Sequence, residues 1–255
     1  MSFSPEELER YARHIVLREI GGPGQQRLRA AHVAVVGAGG LGSPALIYLA
    51  AAGVGQITLI DDDVVSLSNL QRQILYATDT LGAPKAGTAA RVLAGLNPHI
   101  TLHPLPARLT PSNAATLLTP ADLILDGSDS FETRALVNRT AVAAGTPLLS
   151  GAIAQWEGQI SLFDPASGGP CYACVFPTPP APGQAPSCAE AGVLGALAGV
   201  VGAMMAGEAV KWITGAGQSL QGEMLLYDAL WSESRRIQLR ADPCCAVCAG
   251  RGKGR

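Results

Sequence analysis

The chain has 255 residues, 48% of them hydrophobic and 15% charged, with 30 glycines and a formal net charge of -2. This composition excludes a disordered chain and leaves room for one large domain, or one domain with an appended subregion. The near-neutral charge excludes bulk attraction to nucleic acid or an anionic membrane, so any anion must be held by a local site.

Ser4 and Pro5 suit the start of a helix over residues 5–20, which Gly21-Gly22-Pro23-Gly24 is expected to stop. Arg10, Arg13 and Arg18 read as its basic face. Met1-Ser2-Phe3-Ser4 leads straight into charged residues, so no secretory signal is expected. His32 to Val36 reads as a β-branched strand, followed at once by the turn Gly37-Ala38-Gly39-Gly40-Leu41-Gly42 and a helix to about Ala52. A second strand, Gln56 to Ile60, ends in Asp61-Asp62-Asp63. This is a βαβ unit with glycines at the strand-to-helix turn.

The alternation continues. A helix starts near Lys85 and runs to about Leu96, a strand lies near Ile100 to His103, and a helix lies near Pro111 to Leu118. Strands at Asp122 to Leu125 and Pro147 to Leu149 bracket a helix at Phe131 to Ala144. The pattern predicts an α/β fold, a Rossmann-like mostly parallel sheet with helices on both faces. After Ser150 it changes: Gln159 to Phe163, Glu223 to Leu226 and Ser234 to Leu239 read as further strands, extending the core antiparallel. Between them lie a proline-rich loop, Pro177 to Pro186, and an apolar stretch from Ala191 that reads as a helix to Thr214. Its apolar part is near the lower length limit for a membrane span. Glycine, alanine and the flanking Glu190 and Glu208 favour a buried helix instead. The tail from Gly250 to Arg255 is expected to be disordered.

Gly37-x-Gly39-x-x-Gly42 lets backbone N–H groups approach a phosphate at a helix N-terminus. Asp61, about twenty residues on, is placed to accept hydrogen bonds from a ribose. The motif alone does not separate NAD(P) from ATP. Arg72, Lys85 and Asp129 lie near the ends of sheet strands, where two cations would neutralise a triphosphate and a carboxylate would hold Mg2+. Singly, Arg72 and Lys85 could be surface charges and Asp129 a helix cap. Hydride transfer needs none of them; transfer at a nucleotide phosphate needs all.

All six cysteines lie at or after position 171. Cys171/Cys174 and Cys245/Cys248, about seventy residues apart, have the spacing of a four-thiolate structural zinc site. Cys244 offers an alternative, Cys244/Cys248. Cys188 is left over before the long helix, whose dipole would lower a thiol's pKa.

Arg10-Tyr11-x-Arg13-His14-Ile15-Val16-Leu17, the glycine turn, Ser66-Leu67-Ser68-Asn69-Leu70-Gln71-Arg72-Gln73, Asn97-Pro98-His99-Ile100, Glu157-Gly158-Gln159, Pro170-Cys171-Tyr172-x-Cys174 and Cys188-x-Glu190-Ala191-Gly192-Val193 together resemble the MoeB/ThiF family, MoeB most. These are bacterial E1-like enzymes that adenylate the C-terminus of a ubiquitin-like sulfur-carrier protein. The resemblance implies a single E1-like domain over 1–255. Within it, 1–30 would be an N-terminal helical segment, 31–150 the nucleotide-binding core and 151–250 a carrier-binding and zinc subregion.

By the same resemblance Gly37, Gly39, Gly40 and Gly42 cradle ATP, and Asp61 holds its ribose. Asn69, Arg72 and Lys85 hold the phosphates, Asp129 binds Mg2+, and Arg13 reaches into the partner's site of a homodimer. The family pattern favours Cys245 over Cys244 as a ligand of Zn2+, and makes Cys188 a candidate acceptor for a covalent link to the carrier. Thr-Asp-Asn is frequent around the family's magnesium aspartate, where this chain has Ser128-Asp129-Ser130.

The implied partner is a small β-grasp carrier ending in Gly-Gly, in molybdopterin, thiamine or a related thio-modification pathway in the cytoplasm. No C-terminal rhodanese domain is expected, so a separate sulfur donor, such as a cysteine desulfurase or rhodanese, is implied. The rival readings are an NAD(P)-dependent oxidoreductase and an inactive E1-like zinc scaffold that binds a ubiquitin-like protein.

Overall fold

The structure, a computed structural model, describes residues 3–178 and 192–249. Cys188, most of the proline-rich loop and the tail from Gly250 lie outside those residues.

Five parallel strands form the first part of the sheet: β1 (His32–Val36), β2 (Gln56–Ile60), β3 (Thr101–Leu105), β4 (Leu123–Asp126) and β5 (Leu148–Ala154). Three antiparallel strands continue it: β6 (Glu157–Phe163), β7 (Glu223–Asp228) and β8 (Glu233–Gln238). The order is β3-β2-β1-β4-β5-β6-β7-β8, one eight-stranded sheet. β1 lies between β2 and β4, with Val36 level with Ile60 and Asp126. Successive strands are therefore added in opposite directions on either side of β1, β2 and β3 to one side and β4 and β5 to the other, the place where open α/β sheets gather a ligand at the strands' carboxyl ends.

The apolar strands follow from burial on both faces, as parallel sheets require. Val33, Ala34, Ile57, Leu59, Leu123 and Ile124 are fully buried. Helix α4 (Gly42–Ala52) and the long helix that ends at Thr214 cover one face, where Leu46, Leu49, Leu197, Val201 and Met205 join the main core. The other face carries Val137, Ala141, Phe163 and Tyr172. The long helix runs Gly195–Thr214 and is, among the described residues, long and apolar enough to cross a membrane by length and composition. Its residues Leu197, Ala198, Val201, Met205 and Ala209 nevertheless lie in the protein core at helical spacing.

The N-terminal segment differs from expectation. Helix α1 (Pro5–Arg10) is capped as the sequence indicates: Ser4 Oγ accepts from Glu7 N, and Glu7 returns the contact to the Ser4 amide. Tyr11 then breaks the helix, because its buried ring turns inward and its hydroxyl accepts from Asn97 Nδ2 at 2.8 Å. A four-residue turn, α2 (Ala12–Ile15), follows. The Gly21-Gly22-Pro23-Gly24 tract, expected to end a helix, opens one: α3 (Gly21–Ala30). Proline costs nothing in a first turn, where its missing N–H has no partner to lose. Tertiary contacts hold the rest, with Leu28 fully buried and Gln25 Nε2 donating to the Ala52 carbonyl at 2.8 Å.

Candidate nucleotide cavity and cysteine cluster

Two glycines make the turn after β1 possible. Gly37 has φ +87°, a left-handed conformation that side chains resist. Gly42 brings the first turn of α4 so close that a Cβ there would sit 1.9 Å from the Gly37 carbonyl oxygen. Among the described residues the N–H groups of Gly39, Gly40 and Leu41 find no protein acceptor. Three free donors at a helix N-terminus form an anion cradle.

Asp61, at the end of β2, locks onto this turn. Its Oδ2 accepts from Ala38 N at 2.8 Å and its Oδ1 from Asp63 N at 2.9 Å. Burial pushes its pKa up, and the two amide donors oppose the rise. Each carboxylate oxygen keeps a second lone pair, so hydroxyl donors can still be accommodated.

A cavity of about 320 Å3 opens beside the turn, within the usual size of small-molecule sites. It is lined by Gly37, Gly39, Gly40, Asp61, Arg72, Lys85 and Asp129, residues scattered over ninety positions of sequence that the fold brings together. Lys85 opens helix α5 (Lys85–Leu96); it is 4% exposed, with Nζ 2.6 Å from Asp63 Oδ2. That ammonium's hydrogen bond holds the Asp63 carboxyl below its ordinary range. Arg72 Nη1 donates to the Ser68 carbonyl at 3.2 Å. Asn69 receives the Arg72 and Gln73 amides on its own carbonyl. Neither Asn69 nor the exposed Arg13 is among the residues that line this chain's cavity.

Asp129 follows β4. The helix after it, α7 (Phe131–Ala144), is capped by Ser130, whose Oγ accepts from Thr133 N at 3.3 Å. Asp129 is therefore not the cap, and among the described residues its carboxylate makes no hydrogen bond.

Four functional candidates were not singled out by sequence patterns. Arg108 and Arg134 line the cavity, and no motif marks either. Gln73, 4% exposed, lines it too, and Asp126, 1% exposed, comes just before the lining residues Gly127 and Ser128 in the chain. Both stand inside tracts whose neighbours drew the attention. Gln73 Oε1, Asp126 Oδ2 and Ser128 Oγ are buried without a partner among the described residues. Buried polar atoms are normally satisfied, so a cluster of orphans around a cavity fits a polar ligand. Burial pushes the Asp126 carboxyl up, and Arg134 pulls against it.

The cysteines assemble separately. The Sγ atoms of Cys171, Cys174, Cys245 and Cys248 all lie within 4.8 Å of one another, with pairs at 3.4, 3.7 and 3.9 Å. A tetrahedral zinc with bonds of about 2.3 Å would space its sulfurs by about 3.8 Å. The donor set therefore fits a closed, structural metal site. Cys244 is exposed and outside the cluster, which decides the pairing that spacing left open. Burial alone would raise the Cys245 thiol, but backbone donors from Cys248 and Val247 bring it down to about 7. Cys171 Sγ also receives Asn138 Nδ2 at 3.7 Å, and Asn138 Oδ1 accepts from Tyr172 N at 3.0 Å. Asn138 stands on α7, one turn beyond Arg134.

Comparison with known proteins bears on the chain as a whole. The model of a family described as the ThiF family matches residues 11–247. The sulfur carrier protein adenylyltransferase of Thermus thermophilus is 50% identical over 252 residues, covering 97% of this chain and 93% of that protein. The SAMP-activating enzyme E1 of Haloferax volcanii is 46% identical, covering 99% and 93%. The probable adenylyltransferase/sulfurtransferase MoeZ of Mycobacterium tuberculosis is 49% identical over 95% of this chain, which spans 62% of MoeZ. A crystal structure of E. coli MccB with ATP superposes at TM-score 0.80 over 89% of this chain and 70% of that one, at 22% identity. That likeness concerns the fold alone.

Proposed function

The chain belongs to the ThiF family, and on that footing we propose that it is an adenylyltransferase. Its substrate is the C-terminal glycine carboxylate of a small β-grasp sulfur-carrier protein ending in Gly-Gly. The observation that carries this reading is one cavity holding the Gly37–Gly42 turn, Asp61, Arg72, Lys85 and Asp129. The printed functions of the relatives support it. A nicotinamide enzyme would have no use for the Arg72, Lys85 and Asp129 set.

In the reaction, a carboxylate oxygen of the carrier attacks the α-phosphorus of ATP. The bond from that phosphorus to the bridging oxygen breaks, pyrophosphate leaves, and an acyl-adenylate forms. The nucleophile has a pKa of about 3.5 and is ionised at neutral pH, so no protein base is needed. Catalysis is then positioning and charge stabilisation. The free amides of Gly39, Gly40 and Leu41 hold phosphate oxygens, Asp61 the ribose, and Arg72 and Lys85 the developing negative charge. Asn69 orders the Arg72 segment through its carbonyl, and its side chain would hold a phosphate only by turning into the cavity. Lys85 must exchange Asp63 for phosphate on binding, a short move from a contact already formed. Asp129 would hold Mg2+, which would neutralise charge on the leaving phosphates.

Arg13 serves the partner's site in a homodimer, which accounts for its place outside its own chain's cavity. The Cys171, Cys174, Cys245 and Cys248 set would hold Zn2+ and tie the C-terminal strands to the region after β6, where residues 151–250 receive the carrier. The sulfur comes from a separate donor such as a cysteine desulfurase or rhodanese. The pathway is molybdopterin, thiamine or a related thio-modification. The compartment is the cytoplasm, where such thiols stay reduced. Cys188 is the candidate acceptor for a covalent link; it acts after adenylation, so Cys188→Ala should leave pyrophosphate exchange intact.

The test is ATP–pyrophosphate exchange with each small Gly-Gly carrier of the same organism. Exchange that depends on one carrier supports the reading. Turnover of NADH without any exchange would overturn it, and carrier binding without exchange would make the chain a scaffold.

A further inference from the structure

Arg134 Nε and Nη2 donate to the Ser128 carbonyl at 3.1 and 2.7 Å, and the side chain lines the nucleotide cavity. The Ser128 amide is held from another direction by Asp126 Oδ1, at 2.9 Å. Two residues on, Ser130 caps α7. Asp129 thus sits between two fixed points, with its own carboxylate unengaged among the described residues.

Arg134 is itself seated. Its guanidinium carbon lies 5.8 Å from the centre of the Phe131 ring, which opens the same helix.

We propose that Arg134 is a positioning residue for the adenylation step: packed against the Phe131 ring, it fixes the Ser128 carbonyl and presets the Asp129 carboxylate for the nucleotide's divalent cation. This rests on the adenylation reading. Arg134 suits the task because a rigid planar fork can direct two N–H groups at one oxygen, which an ammonium cannot do with the same definition. It acts through Asp129, so its removal should be felt only when the cation is present.

The experiment uses the full, metal-loaded chain and calorimetric titration with Mg·ATP and with ATP in magnesium-free buffer, no chelator added. Arg134→Gln should weaken Mg·ATP binding about 10- to 100-fold, the usual cost of losing a residue that orients a metal ligand. Magnesium-free ATP should change less than about 3-fold, because the glycine turn and Lys85 are untouched. Zinc content should stay at the wild-type value. Arg134→Lys should not restore the loss.

The proposal is overturned if Arg134→Gln binds Mg·ATP like wild type, if both forms of ATP weaken equally, or if lysine restores binding fully. Should Arg134→Gln fail to fold, Arg134→Lys decides, and Mg·ATP affinity at the wild-type value refutes the proposal. Wild-type chain that binds no Mg·ATP would remove the adenylation reading and this inference with it. Failure of the inference alone leaves wild-type binding intact.

Discussion

Around the nucleotide cavity, Gln73 Oε1, Asp126 Oδ2 and Ser128 Oγ are buried without partners, and three glycine-turn amides have no acceptor among the described residues. In the cysteine cluster each sulfur lies within 4.8 Å of the other three, and backbone and Asn138 donors fill in around them. The cavity gathers polar groups that the protein itself does not pair, so their hydrogen bonds are open to a ligand. The cluster is a closed region whose donors converge on one point, so its binding energy goes into the fold. Helix α7 touches both: Arg134 lines the cavity, and Asn138 meets Cys171 one turn later.

If that division holds, damage to the cavity costs catalysis and damage to the cluster costs stability. Lys85→Ala gives the largest expected effect. Loss of a preorganised charge at the reacting phosphate should lower pyrophosphate exchange by about 100- to 1000-fold, with zinc content and melting temperature near wild type. A large fall in melting temperature instead would mean that Lys85 supports the fold. Cys245→Ser should lose the metal and about 4 kcal/mol of stability, or roughly 8–16 °C in melting temperature for a chain of this size. ATP affinity should fall by no more than several-fold; an ATP loss as great as that of Lys85→Ala would erase the distinction between the two regions.

Gly42→Ala sharpens the comparison within the cavity, since its Cβ would sit 1.9 Å from the Gly37 carbonyl. Overpacking of this kind costs about 1–3 kcal/mol, read by urea unfolding, and should weaken ATP by distorting the anion cradle. ATP binding at wild-type strength would show that the turn is mere packing.

Asp126 gives the smallest effect, and its sign depends on pH. Its folded pKa is raised above 3.8 by burial, so the folded chain holds that proton more tightly than the unfolded one. The stability Asp126 contributes is full below about 3.8 and is lost as pH rises through the folded pKa. Asp126→Asn should therefore gain on wild type in urea unfolding as pH rises above the ordinary carboxylate range. A pH-independent difference would mean that the carboxyl is ionised at ordinary cost.

Local pattern carried much of this protein. The β-branched runs His32–Val36 and Gln56–Ile60, the capping signal at Ser4-Pro5 and the helix from Phe131 to Ala144 are encoded within a few residues and appear where expected. Gly21-Gly22-Pro23-Gly24 is the counter-example. Locally it is a helix terminator, yet Leu28 burial and the Gln25–Ala52 contact make it a helix start. Cys244 and Cys245 are equivalent neighbours in sequence, and only the direction of the chain at the cluster separates them.

The amino-acid sequence by itself determined the element types, the glycine turn, the acid after β2 and the two thiol pairs, because each depends on side-chain chemistry or spacing over a few positions. Tertiary structure alone decided that Arg134 and Gln73 line one cavity with Lys85 and Asp129. Those relations join strands and helices far apart in the chain. They arise from the parallel crossovers around β1, and no local period or spacing encodes a distance across a sheet.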